Sequence, residues 1–121
     1  MSNVDVILKE AMSIDGAIAA MLVDYQSGMA LGQAGDGSAL NLDLAAAGNT
    51  DVVRSKMRTM ESLGLDDHIE DILITLGKAY HLIRLTQDHQ GLFLYLVLDK
   101  TKANLAMARH KLGALERDLT I

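Results

Sequence analysis

Two short runs limit the folds open to this chain more than any other feature: "AIAAMLV" from Ala17 to Val23 and "LFLYLVL" from Leu92 to Leu98. Successive side chains of a strand point to opposite faces, so a strand with one wet face alternates apolar and polar residues. These two runs do not alternate. Each is apolar on both faces, which reads as a strand covered from both sides. Both therefore belong at the centre of a sheet that carries other elements on its two faces.

The remaining segments supply those elements. "NVDVILKEAM" sets Val4, Ile7, Leu8 and Ala11 at helical spacing, with Ser2 or Asn3 as the candidate N-cap, and "SIDG" breaks the pattern. Met29 to Ala34 is a second, weaker strand. The "DYQSG" between it and the first run fits a tight hairpin turn: Asp24 can accept backbone hydrogen bonds, and Gly28 is free to take a positive φ. A ligand-binding role for that loop is the less economical reading. "GDGS" follows as a polar loop. Asn41 to Leu63 reads as the longest helix, ended by Gly64. Ile69 to Leu76 is a strand, "GK" a two-residue turn with glycine first, "AYHLIRLT" another strand, and "QDHQG" the turn into the second central run. A helix from about Lys102 to Leu119 closes the chain, with the stripe Leu105, Ala108, Leu112, Leu115 and Leu119 and with Asp99 or Thr101 as its cap.

The order is α-β-β-α-β-β-β-α. Strands joined by short turns are antiparallel neighbours. With the doubly apolar strands in the middle, the strands in chain order lie 2-1-5-4-3 in an antiparallel sheet with helices on both sides. The expected class is α/β (α+β), in one domain spanning residues 1–121.

Composition removes several functions. The absence of cysteine excludes thiolate metal sites, cysteine nucleophiles and thiol redox chemistry. A net charge of -5, with three Tyr, one Phe and no Trp, argues against nucleic acid as a partner. No apolar run approaches the roughly 18 residues of a membrane span. Asp5, Lys9 and Glu10 interrupt the N-terminal stretch where a signal peptide needs apolar residues. A soluble, cytoplasmic protein with no membrane insertion is expected.

The candidate chemistries fail one by one. "GQAGDGS" lacks the Lys-Ser/Thr ending of a phosphate loop. His68, His81, His89 and His110 show no metal-ligand spacing and read as solvated or edge-of-core histidines. Asp66, Asp67, Glu70 and Asp71 lack the spacing of a calcium loop; an acidic rim facing a basic partner is the other use for them. Ser13, Ser27, Ser38, Ser55 and Ser62 sit in no Gly-x-Ser-x-Gly and in no recognisable arrangement with a histidine. The expectation is no enzyme: no catalytic residue, no cofactor and no metal.

Three stretches in order, "DGAIAAMLVDYQSGMALG", "SLGLDDHIEDILITLGKAYHLIRL" and "VLDKTKANLAMARHKL", make nearly the whole chain resemble the Roadblock/LC7 family, whose fold is profilin-like. One departure is Asp15, which stands where many members carry a proline before the first strand. The resemblance implies a dimeric platform for a small Ras-like GTPase, similar to free-standing prokaryotic members. It also leaves open an adaptor subunit of a motor or signalling complex. A small-molecule sensory domain is the alternative from another class; the dense aliphatic strands argue for a filled core instead.

The residues indicate self-association independently. In the long helix, Leu42, Ala46, Val53, Met57, Met60 and Leu63 suffice for packing on the sheet. Leu44, Ala45, Gly48, Val52, Ser55 and Thr59 form a second stripe of mostly smaller residues. A helical glycine costs about 1 kcal/mol relative to alanine, which close approach of another backbone at Gly48 would offset. The competing reading makes "LAAAGN" a loose first turn before a late helix start. The strand with Ile72, Leu73 and Ile74 falls at a sheet edge with only Glu70 and Asp71 to guard it, and bare apolar edges invite pairing. A homodimer built on Leu44, Gly48, Val52, Ser55, Thr59, Ile72, Leu73 and Ile74 is expected, as the family resemblance also implies. Arg54 and Arg58 are the candidate contacts to a GTPase, and both fit equally well as solvated charges.

Overall fold

The central pair forms as its composition requires. In the computed structural model, which describes residues 2–37 and 40–121, β1 (Ala17–Asp24) lies antiparallel to β5 (Leu92–Asp99), with Met21 opposite Tyr95 and Leu22 opposite Leu94. Outside β1 runs β2 (Met29–Gly35); outside β5 run β4 (Ala79–Leu85) and then β3 (Asp71–Thr75). The order β2-β1-β5-β4-β3, antiparallel throughout, is the expected one. Ser38, which ends the "GDGS" loop and was one of the serines considered, lies outside the described residues.

Each face of the sheet carries its own core. On one side Leu22, Leu94, Leu96 and Leu82 pack against Ile7 and Leu8 of α1 (Val4–Ala11) and against Ala108 and Leu112 of α3 (Leu105–Asp118). On the other, Met21, Val23, Phe93 and Ile83 pack beneath Leu42, Ala46 and Val53 of α2 (Leu42–Ser62). Alternation along β1 and β5 sends neighbouring side chains into opposite cores, so both strands are apolar throughout.

The turns and caps follow from local chemistry, with four corrections. "DYQSG" is a bend: Asp24 Oδ1 accepts the Gln26 N–H at 2.8 Å, and Gly28, at φ 79°, donates to the Asp24 carbonyl at 2.7 Å. α2 begins at Leu42, capped by the Asn41 side chain, which accepts the Leu44 N–H at 3.1 Å, so "LAAAGN" is helical and the loose-turn reading falls. Gly64, at φ 69°, ends it as expected. The last helix starts later than the stripe suggested: Asn104, not Asp99 or Thr101, caps α3 by accepting the Met107 N–H at 3.1 Å. Asp99 is used one turn earlier, accepting both the N–H and the hydroxyl of Thr101. At α1 the Asn3 side chain does not cap, because it bonds Asp118 and Thr120 and ties the two ends of the chain together, while the Ser2 hydroxyl accepts the Val4 N–H at 3.3 Å. β3 is shorter than Ile69 to Leu76, and Gly77 in the turn after it takes no positive φ, contrary to the glycine-first hairpin expected there.

Two ion pairs fix β3 and β4 to α3. Arg84 Nε meets Glu116 Oε1 at 3.2 Å with Glu116 buried, and Arg109 grips Asp71 with both Nε and Nη2 at 2.9–3.1 Å. Asp71, one of two acids expected to guard the edge strand, is therefore neutralised by its own chain.

Candidate protein-interaction surface

The two sheet edges differ in kind. β2 is interrupted: its register with β1 shifts opposite Leu22 and Val23, and it contains Gly32 and Gly35. Such a bulge twists an edge and blunts it against further pairing. β3 has no irregularity; Asp71 to Thr75 pair in continuous register with Arg84 to Tyr80. Its outer side meets no other strand among the described residues. Ile72 packs into the α2-side core and Leu73 into the opposite one, while Ile74, across from His81, joins neither; all three are only partly buried.

α2 turns one flank toward that edge, and its contacts say which. At about 100° per residue, the buried Leu42, Ala46 and Val53 define its underside. The Asn49 side chain lies close enough to the Tyr95 hydroxyl to influence it, which marks the flank over β5 and β4. Ala47 and Thr50 lie beside Gly28 in the β1–β2 turn, which marks the other flank. Gly48 therefore sits between them on the crest, and, its own helix backbone and chain neighbours aside, no atom of the described residues comes within 4 Å of a Cβ built there. Leu44, Ser55 and Thr59 share that crest, Leu44 being 69% exposed, and Val52 lies at the shoulder toward β4. The structure thus brings together Ile72 and Ile74 on one face of the sheet, the face that α2 covers. It sets Leu44, Gly48, Ser55 and Thr59 above, with Leu73 beneath the sheet. Arg54 and Arg58 fall on the opposite flank, beside Tyr25 and Gln26 of the β1–β2 turn.

A polar group that the helical stripes did not announce sits between α2 and the β4–β5 pair. The Tyr95 hydroxyl lies 2.8 Å from His81 Nδ1 and their rings meet edge to face, with the Asn49 side chain near the hydroxyl. Burial pushes the Tyr95 hydroxyl above its ordinary pKa, the Asn49 side chain opposing, and burial holds the His81 imidazole below its own. The signal for it was in the sequence: Tyr95 is the one residue of "LFLYLVL" with a hydroxyl, and such a group when buried needs a partner.

No group of three or more histidines and carboxylates among the described residues is placed to hold a metal. No helix among them is long and apolar enough to cross a membrane.

Element order, sheet order and helix placement together coincide with known structures. MglB from Myxococcus xanthus superposes with a TM-score of 0.84 at 13% identity, over 95% of this chain and 83% of that one. The chain has the Roadblock/LC7 fold. A Roadblock/LC7 domain from Streptomyces avermitilis matches it at TM-score 0.82 and 13% identity, over 97% of this chain and 94% of that one. An MglB described as having a tetrameric arrangement matches at 0.75 and 18%, over 95% of this chain and 88% of that one. No family model matches the sequence, and no curated protein does. The Roadblock/LC7 fold is carried here by the pattern of burial, with few residues shared.

Proposed function

We propose that this chain is a non-enzymatic interaction module of the Roadblock/LC7 family, a cytoplasmic homodimer that binds a small Ras-like GTPase and regulates or scaffolds it. On this reading its 121 residues act as one Roadblock/LC7-like domain. The observation that carries the reading is the regular, uncovered β3 edge with Ile74 packed into neither core, beside the open α2 flank of Asn49 and Val52. Antiparallel pairing of β3 with its copy about a two-fold axis would satisfy the edge and continue the sheet across both subunits. The flanks of the two α2 helices would then approach over the join. The likeness to MglB structures, one of them described as tetrameric, supports assembly through such surfaces.

The GTPase enters through the family resemblance. A rigid dimer surface would act by favouring one conformation of the GTPase's switch loops, a population shift in which this chain supplies no reacting group. The core under α2 is filled by Phe93, Tyr95 and Val53, which weighs against a buried small-molecule site. Affinity capture from source cells, with the GTPase pool loaded with GTP or GDP, tests the reading. Recovery of a small GTPase with preference for one nucleotide state is expected; recovery of motor or signalling subunits alone overturns it in favour of the adaptor. With that GTPase, Arg54→Ala and Arg58→Ala are each expected to retain any stimulated hydrolysis. A loss of more than about a hundredfold in either would identify an arginine finger.

A further inference from the structure

Around the C-terminal end of α2, two hollows of about 460 and 350 Å³ meet over Tyr25, Met57 and Glu61. Together they form a trough. Tyr25, Met57, Met60, Leu65, Ile69 and Leu85 supply its apolar surface, and Thr86, Gln87 and Gln90 are interleaved with them. Arg54 and Arg58 line one hollow and Asp67 the other, with Glu61 where the two meet. None of Arg54, Arg58 and Glu61 holds an ion pair among the described residues, although Arg58 and Glu61 are spaced to form one along the helix. Asp67 pairs only with its exposed neighbour His68, at 3.8 Å.

We propose that this trough docks an amphipathic helical segment of a partner protein, with apolar residues one turn apart, a carboxylate at one end and a lysine or arginine at the other. An amphipathic helix lays its apolar face into such a groove, and charges at the rim set its register. Two methionines in the floor suit it, because an unbranched thioether side chain adapts to the shape it meets. Complementarity decides the charge pattern: a wholly basic segment would meet Arg54 and Arg58, and a wholly acidic one Glu61 and Asp67. The inference rests on the chain being an interaction module, and neither on the dimer nor on the partner being a GTPase.

Three labelled helical peptides with one shared apolar spacing test it: one bipolar, one with basic and one with acidic charges only. Fluorescence anisotropy at physiological salt gives their affinities, and methyl spectra of methionine-labelled protein give the site. The bipolar peptide is expected to bind about tenfold more tightly than either other, shifting the Met57 and Met60 methyls and leaving Met107 in place. Arg54→Glu with Arg58→Glu, both exposed positions, is expected to make the all-basic peptide the best ligand. The same ranking is expected in Ile74→Lys, whatever that variant's oligomeric state, which separates a failure here from a failure of the dimer. Equal binding of the three peptides, an order unmoved by the arginine reversals, or shifts elsewhere than Met57 and Met60 would each overturn the proposal.

Discussion

Gly48 stands in the middle of a well-capped helix with open space on the side where its side chain would be. Nothing among the described residues explains a glycine there, and glycine in a helix interior is destabilising by roughly 0.5–1 kcal/mol relative to alanine. Gly48→Ala is therefore expected to raise the stability of the isolated subunit by about that amount in urea unfolding at high dilution, and to weaken self-association in sedimentation. A stability gain with an unchanged dimerisation constant would remove Gly48 from the join. His81 makes a prediction of another kind. Burial depresses its folded pKa below the ordinary value of about 6.5, so the unfolded chain binds the proton more tightly. The stability this contributes is fully present above that value and is lost as pH falls through the lower, folded pKa. Unfolding free energy measured over the acid side of neutrality should decline in the native protein and decline less in His81→Gln, whose amide can still accept from Tyr95.

Among the elements, the sheet edge beyond β4 depends on α3. Arg84 from β4 and Asp71 from β3 both reach it, and Glu116, the partner of Arg84, is buried with its second oxygen 3.4 Å from the Gln87 N–H. Removing one member of a buried pair leaves the other charge without compensation. Glu116→Ala is expected to destabilise the chain by about 3 kcal/mol, at the low end of the usual range because Arg84 retains some access to water. Chemical denaturation measures it; a loss below about 1 kcal/mol would show that Arg84 finds solvent instead. The Asp71–Arg109 pair is more exposed on its arginine side and carries less energy, yet it determines what β3 presents. By occupying Asp71 it leaves the outer edge of the strand without a free carboxylate between Glu70 and Thr75.

For the whole molecule, assembly decides whether a bare β3 makes sense. Ile74 faces the α2 side across from His81, so a lysine there would keep its ammonium in water in the monomer and bury it in a join. Ile74→Lys is expected to weaken dimerisation about a hundredfold or more, read by sedimentation at micromolar concentration, with far-UV circular dichroism unchanged. A native protein that sediments as a monomer at that concentration would end the dimer proposal, while the trough on the other flank of α2 would still stand for test.

Element order, sheet order, the "DYQSG" bend and the filled central strands could be read from the chain before folding, because each rests on local periodicity: alternation in strands, a 3.6-residue repeat in helices, glycine or asparagine at the ends. Runs apolar on both faces have one stable place, and "AIAAMLV" and "LFLYLVL" took it. The stripe of α2 that packs on the sheet was legible, and Leu42, Ala46 and Val53 are buried as expected. Which way the other flanks face was not, because only distant partners, Tyr95 and the β1–β2 turn, set it, sending Gly48 to the crest and Arg54 and Arg58 away from β3. Nor could the neutralising of Asp71 by Arg109, 38 positions later, be foreseen from spacing, since ion pairing at that range exists only once the sheet has set α3 beside β3.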